Sequence, residues 1–183
     1  VFFVLSLPIY LLVDRERRGW LRDWRPWGAV ALGFVLLAPN IWWNAQNGFI
    51  TFELTKANAN LRAGDLINPG QAAEFIGSQF GVFGPILLGV LIWLILRLKS
   101  SAADPARRFL LAFALPTLAI MVVQSFLSRA NANWAAPVYV SATLLVVAWL
   151  AAHGRWVLLQ ASLVLHVLAA AVLYNYEAVA DVA

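Results

Sequence analysis

Of the 183 residues, 62 % are hydrophobic and only 12 % charged. The mean hydropathy is +0.77, with the apolar residues in long runs rather than amphipathic stripes, which excludes a soluble globular domain. The net charge of +4 comes from arginines at loop positions rather than from a basic stripe interleaved with aromatics, and the chain has no cysteine; this excludes a nucleic-acid binder, a disulfide frame, a thiolate metal site and a cysteine nucleophile.

The apolar runs predict an all-α integral membrane protein with six transmembrane helices, the first truncated, and one longer outer-face loop bearing short interfacial helices. Residues 1 to 13 would reach roughly 20 Å as a helix against a hydrocarbon core of about 30 Å, so they read as the tail of a spanning helix. The chain is therefore expected to be a single transmembrane domain, the C-terminal fragment of a longer polytopic protein. A signal peptide is the competing reading, but the positive charges follow the run and no small-residue cleavage site appears.

Residues 14 to 26 form a charged loop with Arg15, Arg17, Arg18, Arg22 and Arg25. The second span, residues 27 to 43, carries tryptophan at each end, where indole prefers the interface. Residues 44 to 71 are the longest polar segment. Within it Phe49, Phe52, Glu53 and Lys56 have the spacing of a short surface helix with one apolar side. Asn68-Pro69-Gly70-Gln71 predicts a helix start, with Asn68 as cap, Pro69 in the first turn and Gln71 reaching back. Residues 72 to 79 become the interfacial turns of the third span, residues 80 to 96. Gly77 and Gly81 read as a close-packing pair, Gly84-Pro85 and Pro116 as kinks.

Asp104-Pro105 predicts a capped start leading into the fourth span, residues 109 to 127. A polar knot follows, Ser128-Arg129-Ala130-Asn131-Ala132-Asn133-Trp134, as a tight turn into the fifth span, residues 135 to 152. A turn at 153 to 156 connects it to the sixth, residues 157 to 174.

Cations divide unevenly between the two sides. Arg15, Arg17, Arg18, Arg22, Arg25, Arg97, Lys99, Arg107, Arg108 and Arg155 fall on one, and Lys56, Arg62 and Arg129 on the other. Positive residues collect on the cytoplasmic side, so residues 44 to 71, the Ser128 knot and the C-terminus are expected to face outward.

Almost nothing in the spans can carry chemistry, because no Asp, Glu, Lys or Arg lies near the middle of any run. Ion-coupled transporters normally need an ionisable group there, which argues against a transporter. His166 is the exception, readable as a packing hydrogen-bonder or as a proton relay. On the outer side, Arg129, Lys56 and Arg62 can hold the phosphate of a lipid carrier or simply snorkel to headgroups. Asn131 and Asn133 can cap the fifth helix or bond sugar hydroxyls. Trp134, Trp42 and Trp43 are interface residues or sugar-stacking platforms. The outward carboxylates Glu53, Asp65, Glu74, Glu177 and Asp181 form no recognisable pair and read as solvated loop charges.

Three blocks carry a resemblance: Ala38-Pro39-Asn40-Ile41-Trp42-Trp43-Asn44-Ala45-Gln46-Asn47-Gly48-Phe49, then Gln79-Phe80-Gly81-Val82-Phe83-Gly84-Pro85, then Ala132-Asn133-Trp134-Ala135-Ala136-Pro137-Val138-Tyr139. Together they resemble the C-terminal half of bacterial membrane glycosyltransferases of the group that includes protein mannosyltransferases and the aminoarabinose and galacturonic-acid transferases acting on lipid A and the lipopolysaccharide core. The resemblance implies a GT-C type enzyme in the inner membrane. Such an enzyme takes a sugar from a polyprenyl-phosphate carrier and gives it to a lipid or glycan acceptor at the outer, periplasmic face. It further implies a catalytic aspartate in an outer loop upstream, with no counterpart here, so this fragment is expected to be inactive alone. The remaining candidates are then binding residues: Arg129, Asn131, Asn133, Trp134, Lys56 and Arg62. No cofactor is indicated, metal dependence varies within the family, and no metal-ligand cluster is visible. A multi-pass transporter and a non-catalytic subunit of envelope polysaccharide assembly are the alternatives.

Overall fold

The computed structural model describes residues 2–59 and 67–175, which are helical with no strand. The expectations for Arg62, Asp65, Glu177, Asp181 and the outward C-terminus therefore lie outside the described residues. The helices are α1 (Phe2–Val13), α2 (Trp24–Gln46), α3 (Ile50–Ala59), α4 (Pro69–Val82), α5 (Pro85–Leu96), α6 (Leu98–Ser101), α7 (Pro105–Leu127), α8 (Ala136–Ala152) and α9 (Trp156–Tyr174). Two 3-10 turns, Arg18–Arg22 and Ala132–Ala135, lead into α2 and α8.

Among the described residues, four segments are long and apolar enough to cross a membrane: Trp24–Gln46, Pro105–Leu127, Ala132–Ala152 and Trp156–Tyr174. The other two expected spans differ. The first apolar run gives the 12 residues of α1, and the third is divided between α4 and α5. A helix as short as α5 rises only about 18 Å, so it crosses a bilayer only in series with α4.

The division has a local cause at Gly84, whose φ of 79° and ψ of 144° lie in a region open essentially to glycine alone. Pro85 then opens α5 at a position where its missing N–H costs nothing. A Cβ on Gly84 would stand 2.4 Å from Cε1 of His166 on α9, so the break is also a close crossing of two helices. Gly84-Pro85 is thus a full interruption, not the expected kink. Gly77 and Gly81, by contrast, face open space and are not the expected packing pair.

Helix α7 is central, packing on α8, α1 and α4, while α8 also meets α5 and α9. The core gathers Phe75, Leu91, Leu94, Leu111, Met121, Val138, Leu145, Val146 and Leu150 from α4, α5, α7 and α8, together with Phe83 from the turn between α4 and α5. Small residues let the backbones approach: Ala114 and Ala142 are 1 % and 0 % exposed, and Ser125 is 0 % exposed. Thr117, following Pro116 in α7, is buried with its hydroxyl unpartnered. In the outermost helices α2 and α9, only 6 % of the apolar stretch is buried, against 33 % in α7. Their exposed Leu, Val and Phe side chains suit lipid tails, which are as apolar as they are.

The arginine-rich loops share one end of the bundle. Asp14, closing α1, pairs with Arg108 of α7 at 3.3 Å, and Arg108 Nε donates to the Ala102 carbonyl at 3.0 Å. Asp104 caps α7 by accepting the Arg107 N–H at 2.9 Å, as its sequence predicts. Asp23 does the same for α2 through the Arg25 N–H, which starts that helix at Trp24, three residues before the expected Trp27.

At the other end of α2 the chain reverses through Gly48 and Phe49, both left-handed at φ 64° and 55°. Asn44, 0 % exposed, holds this reversal. Its backbone carbonyl accepts the Phe49 N–H at 2.7 Å, and its side-chain oxygen accepts the Thr51 N–H at 3.2 Å. The Asn40 to Phe49 block is accordingly a turn-forming unit built around one buried amide.

Candidate functional site

The polar knot sits at the end opposite the arginine-rich loops, where α7 stops and α8 begins. Helix α7 ends at Leu127, Ser128 is buried, and Arg129 and Asn131 are exposed on the irregular stretch before the 3-10 turn Ala132–Ala135. A helix leaves its last carbonyls without intrahelical partners, and here side-chain and main-chain donors take them up.

Asn68 does this work for α7, and two further amide residues hold the chain around it. Asn68, just ahead of α4, donates its backbone N–H to the Phe126 carbonyl at 2.8 Å and its side-chain amide to the Leu127 carbonyl at 3.2 Å. Gln124 Nε2 reaches the Arg129 carbonyl at 3.3 Å. Gln79 of α4, 3 % exposed, directs Nε2 to the Phe75 carbonyl at 2.8 Å and, at the 3.5 Å limit, to the Ala132 carbonyl. Its Oε1 accepts the hydroxyl of Tyr139 on α8. The Tyr139 ring stacks on Phe83 with centroids 4.4 Å apart and planes within 10°. The knot is therefore anchored through its carbonyls to amide side chains, one of them the buried Gln79 that also holds Tyr139 of α8, leaving the side chains of Arg129, Asn131 and Asn133 at the surface.

Two capping expectations are corrected here. Asn68 makes no side-chain cap to α4, because its side chain is turned toward α7, where the amide N–H donates to Leu127, although Pro69 does open the helix. Asn133 does not cap α8: the 3-10 turn intervenes, Ala135 occupies the cap position, and no side chain bonds there. The polar groups of Asn131 and Asn133 thus have no capping duty at either helix start.

Trp134 is partly buried against the core, which fixes the indole's orientation, whereas Trp42 and Trp43 are 68 % and 50 % exposed on α2. Lys56 lies on α3, exposed and 4.0 Å from Glu53. Among the described residues, α3 does not pack substantially on any other element, and no bond there ties Lys56 to the knot. Among the described residues no three His, Asp or Glu side chains come together. His166 bonds within its own helix, with Nδ1 2.7 Å from the Ser162 carbonyl, and packs its ring on Gly84.

Gln79 and Tyr139 were not singled out by sequence reasoning, although each lies in one of the quoted blocks. The signal was present. Ala72, Phe75, Gln79 and Phe83 follow the i, i+3, i+4 spacing of a buried helical stripe, so Gln79 is a polar residue on an apolar face.

Over 122 residues the chain is 34 % identical to the lipid A galacturonosyltransferase RgtD of Rhizobium johnstonii, a match that takes in 67 % of this chain and 25 % of that protein. The chain is related to a glycosyltransferase. It spans about a quarter of that relative's length. No protein-family profile matches the chain, and no solved structure does.

Proposed function

We propose that the chain is part of a membrane glycosyltransferase of GT-C type. It would take a sugar from a polyprenyl-phosphate carrier and pass it to lipid A, lipopolysaccharide or another envelope acceptor at the outer face of the bacterial inner membrane. The observation that carries this reading is the 34 % identity to a lipid A galacturonosyltransferase. The clamped knot supports it, because a site for a phosphate and a sugar needs donors held by a rigid frame.

In this reading the Arg129 guanidinium pairs with the carrier phosphate and stabilises the charge that grows on it as the anomeric bond breaks. Asn131 and Asn133 bond sugar hydroxyls, and Trp134 supplies an apolar wall beside them. Lys56 and Arg62 supply further positive potential on the outer side, raising the local concentration of the anionic carrier. The general base for the acceptor hydroxyl is not assigned to this chain.

The test is transfer from polyprenyl-linked sugar to lipid A by the full-length enzyme, read as acceptor mass. Arg129→Ala is expected to reduce transfer by about a hundredfold, the scale of losing one charge-stabilising donor, with unchanged expression. Wild-type turnover by that variant overturns the phosphate role; saturable solute uptake in proteoliposomes without acceptor modification overturns the enzyme.

A further inference from the structure

At the arginine-rich end, α1 and α2 are joined through the 3-10 turn Arg18–Arg22 rather than by packing on each other. A cavity of about 370 Å³ opens in this gap, lined by Leu7 of α1, Trp20 of the turn, and Asp23, Arg25 and Pro26 at the start of α2. A narrower cleft of about 60 Å³ shares Leu7 and Pro26 with it and is otherwise walled by apolar side chains, among them Val4, Leu11, Trp27 and Val30. The two together have the profile of an amphiphile, with a polar mouth and an apolar floor.

The walls are fixed on both sides. Arg18 donates through Nε and Nη2 to the Leu12 carbonyl at 3.1 and 2.7 Å, tying the turn to α1, and the Trp27 indole donates to the Leu21 carbonyl at 2.9 Å, tying it to α2. The loop that carries the mouth has an excess of positive charge. Five arginines stand between residues 15 and 25 against Asp14, Glu16 and Asp23, and Asp14 is already paired with Arg108. Arg17 lies over the Trp20 ring and Arg18 is bonded to α1, and of the five it is Arg25 that lines the cavity. Asp23 takes the Arg25 backbone N–H on one oxygen and sits in the same lining, placed to accept from a hydroxyl.

The geometry points to a binding site for one anionic glycerophospholipid between α1 and α2. Its phosphodiester pairs with Arg25, a headgroup hydroxyl donates to Asp23, and one acyl chain runs along Leu7 toward Val4 and Val30. Guanidinium matches phosphate oxygens in fork geometry. The indoles of Trp20 and Trp27 suit the depth at which a headgroup meets its chains. A zwitterionic lipid fits the apolar floor and carries the same phosphodiester, but its headgroup cation meets the positive excess of the loop unfavourably, whereas an anionic lipid brings no cation. The site is independent of the outer knot and of the proposed transfer reaction.

The full chain, purified in neutral detergent, is offered equal amounts of phosphatidylglycerol, phosphatidylethanolamine and phosphatidylcholine, and retained lipid is counted by native mass spectrometry. One phosphatidylglycerol is expected to be retained in preference. Its apparent affinity should fall at least tenfold in Arg25→Gln and in Leu7→Trp, which fills the cleft without altering charge. Arg97→Gln, elsewhere at the same end, should leave retention unchanged, and circular dichroism of each variant should match the wild type. Equal retention of phosphatidylethanolamine overturns the anionic assignment. Equal weakening by Arg97→Gln reduces the effect to diffuse attraction, and displacement of the lipid by inorganic phosphate, with Leu7→Trp inert, reduces it to a free-phosphate site; either result overturns the proposal.

Discussion

The hydroxyl of Tyr139 on α8 donates to the side-chain oxygen of Gln79 on α4, joining residues 60 positions apart. Gln79 is buried, so this oxygen has no water to fall back on if the tyrosine is lost. Tyr139→Phe keeps the ring on Phe83 and orphans the acceptor, and is expected to cost about 1 to 3 kcal/mol. Adding Gln79→Leu, which removes the orphan, should recover part of that loss. Thermal unfolding of the two single variants and the double variant in detergent measures the coupling; additive effects would show that the pair does not interact.

Gly84 combines a conformation reserved for glycine with a contact at its missing Cβ. Gly84→Ala is expected to destabilise by several kcal/mol: about 1 to 3 for the backbone, with a further penalty for the collision with His166. In a His166→Ala background the collision disappears and only the backbone part remains, so the second variant should lessen the loss without abolishing it. Melting temperatures of the set separate the two contributions.

The Asp14 carboxylate, its side chain only 3 % exposed, pairs with Arg108 and also accepts the Glu16 and Arg17 N–H groups at 3.1 and 3.2 Å. Removing one partner of a buried pair strands the other, so Arg108→Ala should cost about 3 to 5 kcal/mol. Combining it with Asp14→Asn, which keeps a side-chain oxygen for the turn but carries no charge, should be milder than Arg108→Ala alone. A chemical unfolding series reads the difference.

Thr117 makes the opposite forecast. Its hydroxyl is buried in α7 without a partner, so Thr117→Val, which preserves shape and deletes the polar atom, is expected to raise stability by about 1 kcal/mol or more. A lower melting temperature in the valine variant would show that the hydroxyl does find a partner.

Because the chain contains no cysteine, single-cysteine labelling can map its topology without background. Asn131→Cys is expected to react with a membrane-impermeant maleimide on intact cells, and Ser100→Cys only after permeabilisation, since the cation count puts the arginine-rich end inside. Reversal of the two reactivities would invert the orientation.

Much of this molecule was legible because its signals are local. Asp104-Pro105 states a helix start in two adjacent residues, and the arginines cluster at loops that the structure does gather at one end. What remained hidden depends on partners distant in sequence or on a torsion that letters do not encode. Gly-Pro is compatible with a kink or with a break, and only the φ of Gly84 decides between them. Asn68 has the spacing of a cap, yet Leu127, 59 positions on, takes its amide instead. At the candidate site, the exposed residues Arg129, Asn131 and Asn133 were readable as an unusual turn, whereas the Gln79 to Tyr139 link beneath them appears only when α4 and α8 meet.

The interruption at Gly84 also separates two mechanical units. Since α4 and α5 are joined only through Phe83 and the non-helical Gly84, the direction of α4 is not inherited from the helix below and is imposed by its ties to α7 and α8 at the top. Cutting those ties should let the upper half tilt while the leucine-rich lower half, seated on α8, keeps its register. Damage near the knot is thereby confined to one storey of the molecule.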